Sequence, residues 1–283
     1  MAVTNGWGQA AVNNTIDYGK GKTTATNDWG KIYDSSASGD TTLASASTPF
    51  TNTYSVNFDG FNDCVSMGNV LDFANDGTQA FTFSCWFKTT DTSTQVFLGK
   101  QSNTSPYNGY NFSFSSNKIG FFLGTTSGNA RIQGITGTLS SISDGNWHHV
   151  AFTYDGSQNI SGFKIYYDNT TPSITTTFNN TPTGVSNSAH FMAGARGTTS
   201  SVGAAFAGNL DEIAYFSSEL SASNINTIYG TGVPNDISGL NPVGWWRMGD
   251  NDGGTGTNVT DQGSGTNNGT LTNSPTFQTN VPT

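Results

Sequence analysis

Residues 144–156 read DGNWHHVAFTYDG, and residues 81–88 read FTFSCWFK. In the second stretch every other residue is apolar, so Phe81, Phe83 and Cys85 share one face of an extended chain. The first stretch is framed by Asp-Gly pairs, which favour turns at both of its ends. Both stretches therefore predict β-strands that bury one face in a core.

Similar segments recur from Phe50 onward and are separated by Gly, Asn, Asp and Ser, which predicts about twelve strands. Aromatic residues make up 12% of the chain and charged residues 10%, a composition that suits an all-β protein with a large core. We expect a two-sheet antiparallel sandwich. One short helix is predicted between Leu220 and Gly230, with Ser221 as its N-cap and the glycine at its end.

Four runs, in this order along the chain, resemble the laminin G-like branch of the concanavalin A-like lectin/glucanase superfamily. The runs are residues 56–65, 81–88, 144–156 and 206–216. Residues 243–250 and 259–271 resemble the opening strand and turn of that family, placed here at the C-terminus. The resemblance implies an all-β, concanavalin A-like jelly-roll sandwich over residues 49–283. Cys64 and Asn224 depart from the family pattern, which has an aromatic residue and a glutamate there.

Residues 1–48 are predicted to form an extended N-terminal arm, because their apolar positions are sparse and show no sustained period. The motif TNGWG at residues 4–8 returns as TNDWG at residues 26–30. Large aromatic rings in a polar arm are suited to filling pockets on other molecules. We expect the arm to bind partner proteins and copies of itself through Trp7, Trp29, Tyr18 and Tyr33. Folding back of the arm on its own sandwich is the alternative.

The net charge of −9 and the lack of a basic cluster argue against nucleic acid as a partner. The N-terminus has no pattern of a secretory signal, and no stretch is long enough to span a membrane, so membrane insertion is not expected. The whole chain also resembles structural proteins of marine tailed phages. We therefore expect a phage virion protein, in the capsid or in a tail fibre, that is assembled in the host cytoplasm and released by lysis. The partners of its arm would then be other virion proteins. A stand-alone extracellular carbohydrate-binding module is the alternative.

Catalysis is not expected. The chain contains only two glutamates, Glu212 and Glu219, and a glycoside hydrolase needs two carboxyl groups facing each other across the sugar. Asp211 and Glu212 are adjacent in a predicted strand, so regular alternation would place them on opposite faces. A glycoside hydrolase is thus the weakest alternative. His148 and His149 are separated by the same alternation, and Trp147 with one histidine is expected to fill the interior.

The resemblance also implies calcium as a possible cofactor. Its candidate ligands are Asp211 and Asp261, with Asp59 or Asp63 as substitutes. Carboxylate oxygens in flexible loops suit Ca²⁺, but the same aspartates could simply close Asx-turns beside their Gly and Asn neighbours.

A lectin-like sandwich implies that the protein contacts glycans. On a virion, such contacts would provide weak attachment to glycans of the host cell surface. The candidate contact residues are Trp86, Tyr107, Tyr110, Tyr166 and Arg196. Aromatic residues at strand period also occur as core residues, so that alternative stays open for each of them. Cys85 is expected to be a buried thiol, with a Cys64–Cys85 disulfide as the alternative.

Overall fold

The computed structural model describes residues 50–283 throughout, and before them only the backbone of two short strands. The contacts between residues divide the chain into two units, Met1–Phe50 and Thr51–Thr283, and each is described by itself. In the first unit, strands β1 (Thr24–Thr26) and β2 (Ile32–Asp34) pair antiparallel.

Trp7, Tyr18 and Trp29 lie outside the described residues. Tyr33 belongs to β2, where only the backbone is described. The partner-binding role of these four residues therefore stays a prediction.

The second unit contains eighteen strands and one α-helix. In chain order they are β3 (Ser55–Asp59), β4 (Cys64–Ser66), β5 (Phe81–Lys88), β6 (Gln95–Gln101), β7 (Gly109–Ser115), β8 (Lys118–Gly124), β9 (Arg131–Thr136), β10 (Trp147–Tyr154), β11 (Phe163–Tyr167), β12 (Ile174–Asn179), β13 (Met192–Ala193), β14 (Arg196–Thr198), β15 (Ser201–Gly203), β16 (Ala207–Phe216), α1 (Ala222–Tyr229), β17 (Gly244–Trp246), β18 (Asn258–Val259), β19 (Gly269–Thr272) and β20 (Thr276–Gln278).

Two antiparallel sheets face each other in this unit. The seven-stranded sheet has the order β11-β10-β5-β16-β3-β20, with β17 also paired to β16. The nine-stranded sheet has the order β12-β9-β8-β7-β6-β13-β4-β19-β18, and β14 forms a separate hairpin with β15. The predicted all-β, two-sheet sandwich with one short helix is thereby confirmed.

The core lies between the inner faces of the two sheets and is dominated by aromatic rings. Phe83 of β5 is fully buried, and its ring centroid lies 4.8 Å from that of Tyr215 and 5.1 Å from that of Phe112 on the opposite sheet. Burial of rings of this size provides most of the free energy that holds such sheets together. The strand alternation seen in the sequence thus places the core correctly.

The segments at the C-terminal end complete both sheets. β17 and β20 pair with β16 and β3, while β19 pairs with β4. Trp246 of β17 is fully buried in the core, where its indole Nε1 donates to the carbonyl oxygen of Asn267. The sandwich is therefore closed by residues far apart in the chain.

The helix α1 begins and ends where its caps predict. Ser221 accepts a hydrogen bond from the backbone N–H of Asn224, and Gly230 ends the helix with a φ of 61°. Ile225 and Ile228 are buried beneath it. Among the described residues, no helix is long and apolar enough to cross a bilayer.

The two cysteines are free thiols on different sheets. Cys85 lies in the core, whereas Cys64 packs with Met192 and Ala195 on the outer face of the nine-stranded sheet. The buried thiol expected at Cys85 is confirmed, and the alternative disulfide does not form. Burial raises the pKa of the Cys64 thiol to about 11, with the charge of Asp63 adding to the effect.

Candidate functional site

The five residues predicted to contact a glycan lie in different environments. Tyr110 is fully buried in the core. Trp86 and Tyr166 lie on the outer face of the seven-stranded sheet, but only 2% and 4% of their surfaces are exposed. Burial makes these three side chains inaccessible to a sugar ring. Tyr107 and Arg196 are partly exposed, and they lie together.

Trp86 is inaccessible because α1 covers it. Its ring stacks on Tyr229, with centroids 5.8 Å apart and an angle of 11° between the planes. Strand alternation tells which face of a sheet a side chain occupies. It does not tell whether a later helix covers that face.

Tyr107 and Arg196 open onto a pocket of about 260 Å³ on the outer face of the nine-stranded sheet. Its other lining residues come from strands β6, β8 and β9 and from one loop. They are Gln101, Phe122, Thr126, Arg131 and Gln133. Pockets for drug-sized ligands measure about 300–1,000 Å³, so this one suits a single ring or the end of a chain.

One row of paired residues across the sheet connects Gln101 with Arg131, two of the residues that line the pocket. Gln101 pairs with Gly109, Gly109 with Gly124, and Gly124 with Arg131. The two glycines in the middle of the row place no side chain of their own between Gln101 and Arg131. At Gly109 the φ is 122°, and a Cβ atom would lie 2.0 Å from the carbonyl oxygen of Lys100, so only glycine fits.

Two loops that border the pocket are tied to each other. The carbonyl oxygen of Pro106 accepts hydrogen bonds from the N–H and the hydroxyl of Thr126, at 2.9 and 2.6 Å. The hydroxyl of Thr125 donates to Asn108 at 2.6 Å. These contacts fix the loop that carries Tyr107, so the pocket exists before any ligand binds.

Arg196 reaches the pocket from β14. Its Nη1 donates to Oε1 of Gln101 at 2.7 Å, and its guanidinium carbon lies 5.3 Å from the ring centroid of Tyr107. Its Nε is buried and has no hydrogen-bond partner among residues 50–283. Burial lowers the pKa of Arg196 from its usual value, and Tyr107 opposes this. A guanidinium nonetheless keeps its proton at neutral pH.

Arg131 lies on the other side of the pocket. It donates from Nε to Gln133 at 3.0 Å and from Nη1 to Asn129 at 2.9 Å. Its guanidinium carbon lies 3.5 Å from the ring centroid of Phe178 in β12, a cation–π contact. Burial lowers the pKa of Arg131 as well. Both arginines therefore contact amide oxygens and rings rather than carboxylates.

The sequence prediction included Tyr107 and Arg196, which line this pocket, but not Arg131, Phe122 and the two glutamines. Each of these four lies in or at the end of a strand and has no local motif around it. Only the order of strands in the sheet brings them next to Arg196. Arg196 lies in the separate β14–β15 hairpin and Arg131 in β9, so no local signal in the sequence indicates that they meet.

The candidate calcium ligands are bound to N–H groups of the protein. Asp261 accepts three backbone N–H bonds at 2.8 Å, from Trp245, Gly263 and Asn267. Asp211 accepts from the side chain of Asn52 and from the backbone of Glu212. Donors rather than acceptors thus face both carboxylates, so the two do not fit a shared calcium site.

The two substitute ligands also organise a turn. Asp59 accepts the N–H of Phe61, and Asp63 accepts the N–H of Asp59. Within the described part of the chain, no group of three or more His, Cys, Asp or Glu side chains is arranged to hold a metal ion. Calcium stays a prediction.

A bulge in β16 changes the expected orientation of Glu212. Asp211 pairs with Trp86 and Ala214 with Ser84, so three steps along β16 match two along β5. The φ of Glu212 is 45°, in the left-handed region. The expectation that Asp211 and Glu212 point to opposite faces is therefore wrong, because the bulge interrupts the alternation.

Both carboxyl groups lie on the outer face of the seven-stranded sheet, in a buried carboxylate cluster. We use this name for Asp211, Glu212, Arg247 and Asp250. Glu212 accepts from Arg247 Nε at 2.9 Å and from the indole N–H of Trp245 at 2.6 Å. Arg247 also donates to Asp250 at 2.9 Å.

Burial shifts the ionisation of the cluster. It raises the pKa of Asp211 well above its usual value, with the charge of Glu212 adding to the effect. It raises the pKa of Glu212 to about 7, against the opposing influence of Arg247. Asp211 is fully buried and Glu212 is 5% exposed, so the space between them does not admit a sugar.

The adjacent histidines are on opposite faces of β10, as predicted. His148 bonds to Asp168 at 2.7 Å and to Asp144 at 3.1 Å, and these bonds raise its pKa although burial opposes them. His149 lies under α1. Trp147 does not fill the interior, contrary to expectation: it is half-buried, and its indole N–H donates to Asn280 at 3.3 Å.

Comparisons with known proteins bear on the fold. A Bacteroides ovatus protein assigned as carbohydrate binding aligns over 92% of this chain and 69% of its own, with 17% identity and a TM-score of 0.54. A heptameric SAP-like pentraxin of Limulus polyphemus aligns over 62% of this chain and 82% of its own, with 12% identity and a TM-score of 0.47.

The IT-sialidase CBM40 of Ruminococcus gnavus bound to α2,3-sialyllactose aligns over 62% of this chain and 96% of its own, with 15% identity and a TM-score of 0.45. No curated protein sequence matches the chain significantly. Residues 58–226 match the family Laminin_G_3, described as concanavalin A-like lectin/glucanases superfamily. This match spans more than half of the chain, which therefore belongs to the concanavalin A-like lectin/glucanases superfamily.

Proposed function

We propose that the sandwich is a non-catalytic carbohydrate-binding module, and that the pocket at Tyr107 and Arg196 is its ligand site. The pocket itself carries the proposal, because it combines one partly exposed ring with several hydrogen-bond donors in a fixed arrangement. Sugars have apolar C–H faces that pack on aromatic rings and hydroxyls that need polar partners.

The chemistry of the lining suits such a ligand. Gln101 and Gln133 provide amide groups, and the two guanidinium groups provide donors in planar forks. The Bacteroides ovatus protein, which is assigned as carbohydrate binding, shares the fold. At 17% identity the likeness supports the architecture, and the pocket supports the function.

A binding role is favoured over hydrolysis by the placement of the acids. The pocket is lined by no Asp or Glu. The adjacent pair Asp211 and Glu212 lies instead on the outer face of the other sheet, buried and hydrogen-bonded to protein donors. A reducing-sugar assay on the glycans that bind should therefore detect no release of product.

Screening the full chain on a glycan array tests the proposal. We expect binding to a defined set of glycans and at least a tenfold weaker affinity for Tyr107→Ala, since stacking on a ring contributes to binding. The matched control is Phe61→Ala, which removes an aromatic side chain that is 81% exposed elsewhere. Binding that is lost in the control and kept in Tyr107→Ala would place the site away from the pocket.

We also propose that the module is a structural component of a phage particle, located in the virion and bound there through the N-terminal arm. The support is the low-charge, Thr-, Asn- and Gly-rich composition together with the two Trp motifs at residues 4–8 and 26–30. Contacts divide the chain at Phe50, so the arm and the module are separate units.

Deletion of residues 1–48 tests the virion proposal. We expect the truncated protein to remain soluble and folded by circular dichroism but to be missing from purified particles. The Trp7→Ser and Trp29→Ser double variant of the full chain should also be depleted from particles. Equal incorporation of all three proteins would contradict the proposal and favour a stand-alone extracellular module.

A further inference from the structure

We infer that the ligand of the pocket carries a negative charge, as a carboxylate or a sulfate ester on the sugar, and that Arg131 and Arg196 bind this charge. This inference rests on the proposed carbohydrate-binding function. It adds the chemical class of the ligand, which the shape of the pocket alone does not give.

The first argument is that two cations, one buried and one partly buried, face one pocket without a counter-charge. Arg131 is 8% exposed and Arg196 is partly buried. Within residues 50–283, the ion pairs involve His148, Lys164 and Arg247, and neither pocket arginine takes part in one. Charges removed from water are costly unless they are paired, so an anion in the pocket would compensate both.

The second argument concerns donors that the protein leaves unused. A guanidinium group has five N–H donors. Arg196 makes one side-chain hydrogen bond, to Gln101, and its buried Nε makes none with the described residues. Arg131 makes two. The remaining donors match the two oxygens that a carboxylate or sulfate presents to an arginine fork.

The third argument is the charge of the whole chain. The net charge is −9, and there are only ten Lys and Arg residues. Two of these ten meet at one pocket of a protein that otherwise repels anions. General electrostatic attraction therefore does not explain their position, whereas a bound anionic group does.

Packing is the competing role, because Arg131 covers the ring of Phe178 and Arg196 lies against Tyr107. A packing role predicts that loss of Arg196 changes stability and leaves ligand preference unchanged. Ligand preference thus distinguishes the two roles.

The test is calorimetric titration of the full chain with three oligosaccharides: a neutral galacto-oligosaccharide, an oligogalacturonate and a sulfated galactan fragment. We expect at least tenfold tighter binding of one or both charged probes, and a weaker interaction at 250 mM than at 25 mM NaCl. The charged probe that binds tells whether the ligand class is a carboxylate or a sulfate.

Arg196→Gln should reduce binding of the charged probe at least tenfold. The matched control is Lys118→Gln, which removes a positive charge from the same face of β8 at its other end and should stay within twofold. Thermal unfolding confirms that both variants are folded.

Equal binding of the neutral and charged probes, or unchanged preference in Arg196→Gln, would overturn the inference while leaving carbohydrate binding in place. A full chain that binds no probe here and no glycan on the array would overturn the proposed function itself.

Discussion

At the scale of single residues, the burial of His149 makes the stability of the fold depend on pH. Its imidazole is fully buried between Trp86 and Tyr229, with centroid distances of 5.2 and 5.9 Å. Neither ring nitrogen has a hydrogen-bond partner among residues 50–283. Burial lowers its pKa to about 4, although the nearby charge of Asp168 acts in the opposite direction.

This environment predicts a loss of stability in mild acid. Because the folded-state pKa lies below that of an unfolded histidine, about 6.5, the unfolded chain takes up a proton first as the pH falls. The contribution of neutral His149 is present above pH 6.5 and declines down to about pH 4. Between pH 8 and pH 5 the free energy of unfolding should fall by about 2 kcal/mol for this reason.

His149→Phe removes the titrating group and keeps an aromatic ring under α1. Denaturant unfolding of wild type and variant at pH 8 and pH 5 checks the prediction, since all other titrating groups are shared. His190→Gln, which removes an imidazole elsewhere, is the control. If the free energy of unfolding had the same pH dependence in wild type and His149→Phe, protonation of His149 would not destabilise the fold, and the prediction would be wrong.

At the scale of elements, the bulge of β16 connects segments that are distant in the chain. Glu212 binds Arg247, which follows β17, and Arg247 binds Asp250. Asp250 accepts the backbone N–H groups of Thr53 and Tyr54, just before β3. The carboxylate cluster thus joins the first and the later strands of the seven-stranded sheet.

Removal of the cation from this cluster should be costly. Arg247→Gln leaves buried carboxylates without their partner, and we expect a loss of about 3–5 kcal/mol in the free energy of unfolding. The control is Lys164→Gln, which breaks the pair of Lys164 with Glu219, where the lysine side chain is 51% exposed. That change should cost less than about 1 kcal/mol. Similar losses in the two variants by urea unfolding would contradict this account.

The elements also show where local sequence is sufficient. The ends of α1 follow from Ser221 and Gly230, because caps depend on neighbouring residues only. β12 was not predicted. Its threonines are exposed and do not alternate with apolar residues, so only pairing with β9 at the edge of the sheet makes it a strand. The bulge of β16 was missed for a related reason, since it depends on pairing with β5.

At the scale of the whole molecule, the sequence predicts the sandwich but only part of its site. Apolar alternation repeated over many strands indicates two sheets with a shared core, and the structure has them. The pocket depends on the order of strands in the nine-stranded sheet, which alternation does not encode. Tyr107 and Tyr110 differ by three positions, yet one lines the pocket and the other is a core residue. Tyr107 lies in the loop before β7 and Tyr110 lies in the strand itself, on its inner face, so the start of β7 separates them.

The pairing of β3 with β20 determines where a fusion partner can be attached to the module. These two strands, near the start and the end of the sandwich, are neighbours at one edge of the seven-stranded sheet. The pocket opens on the outer face of the opposite sheet. A fusion partner added beyond β20 would thus be joined to the sheet that does not carry the pocket.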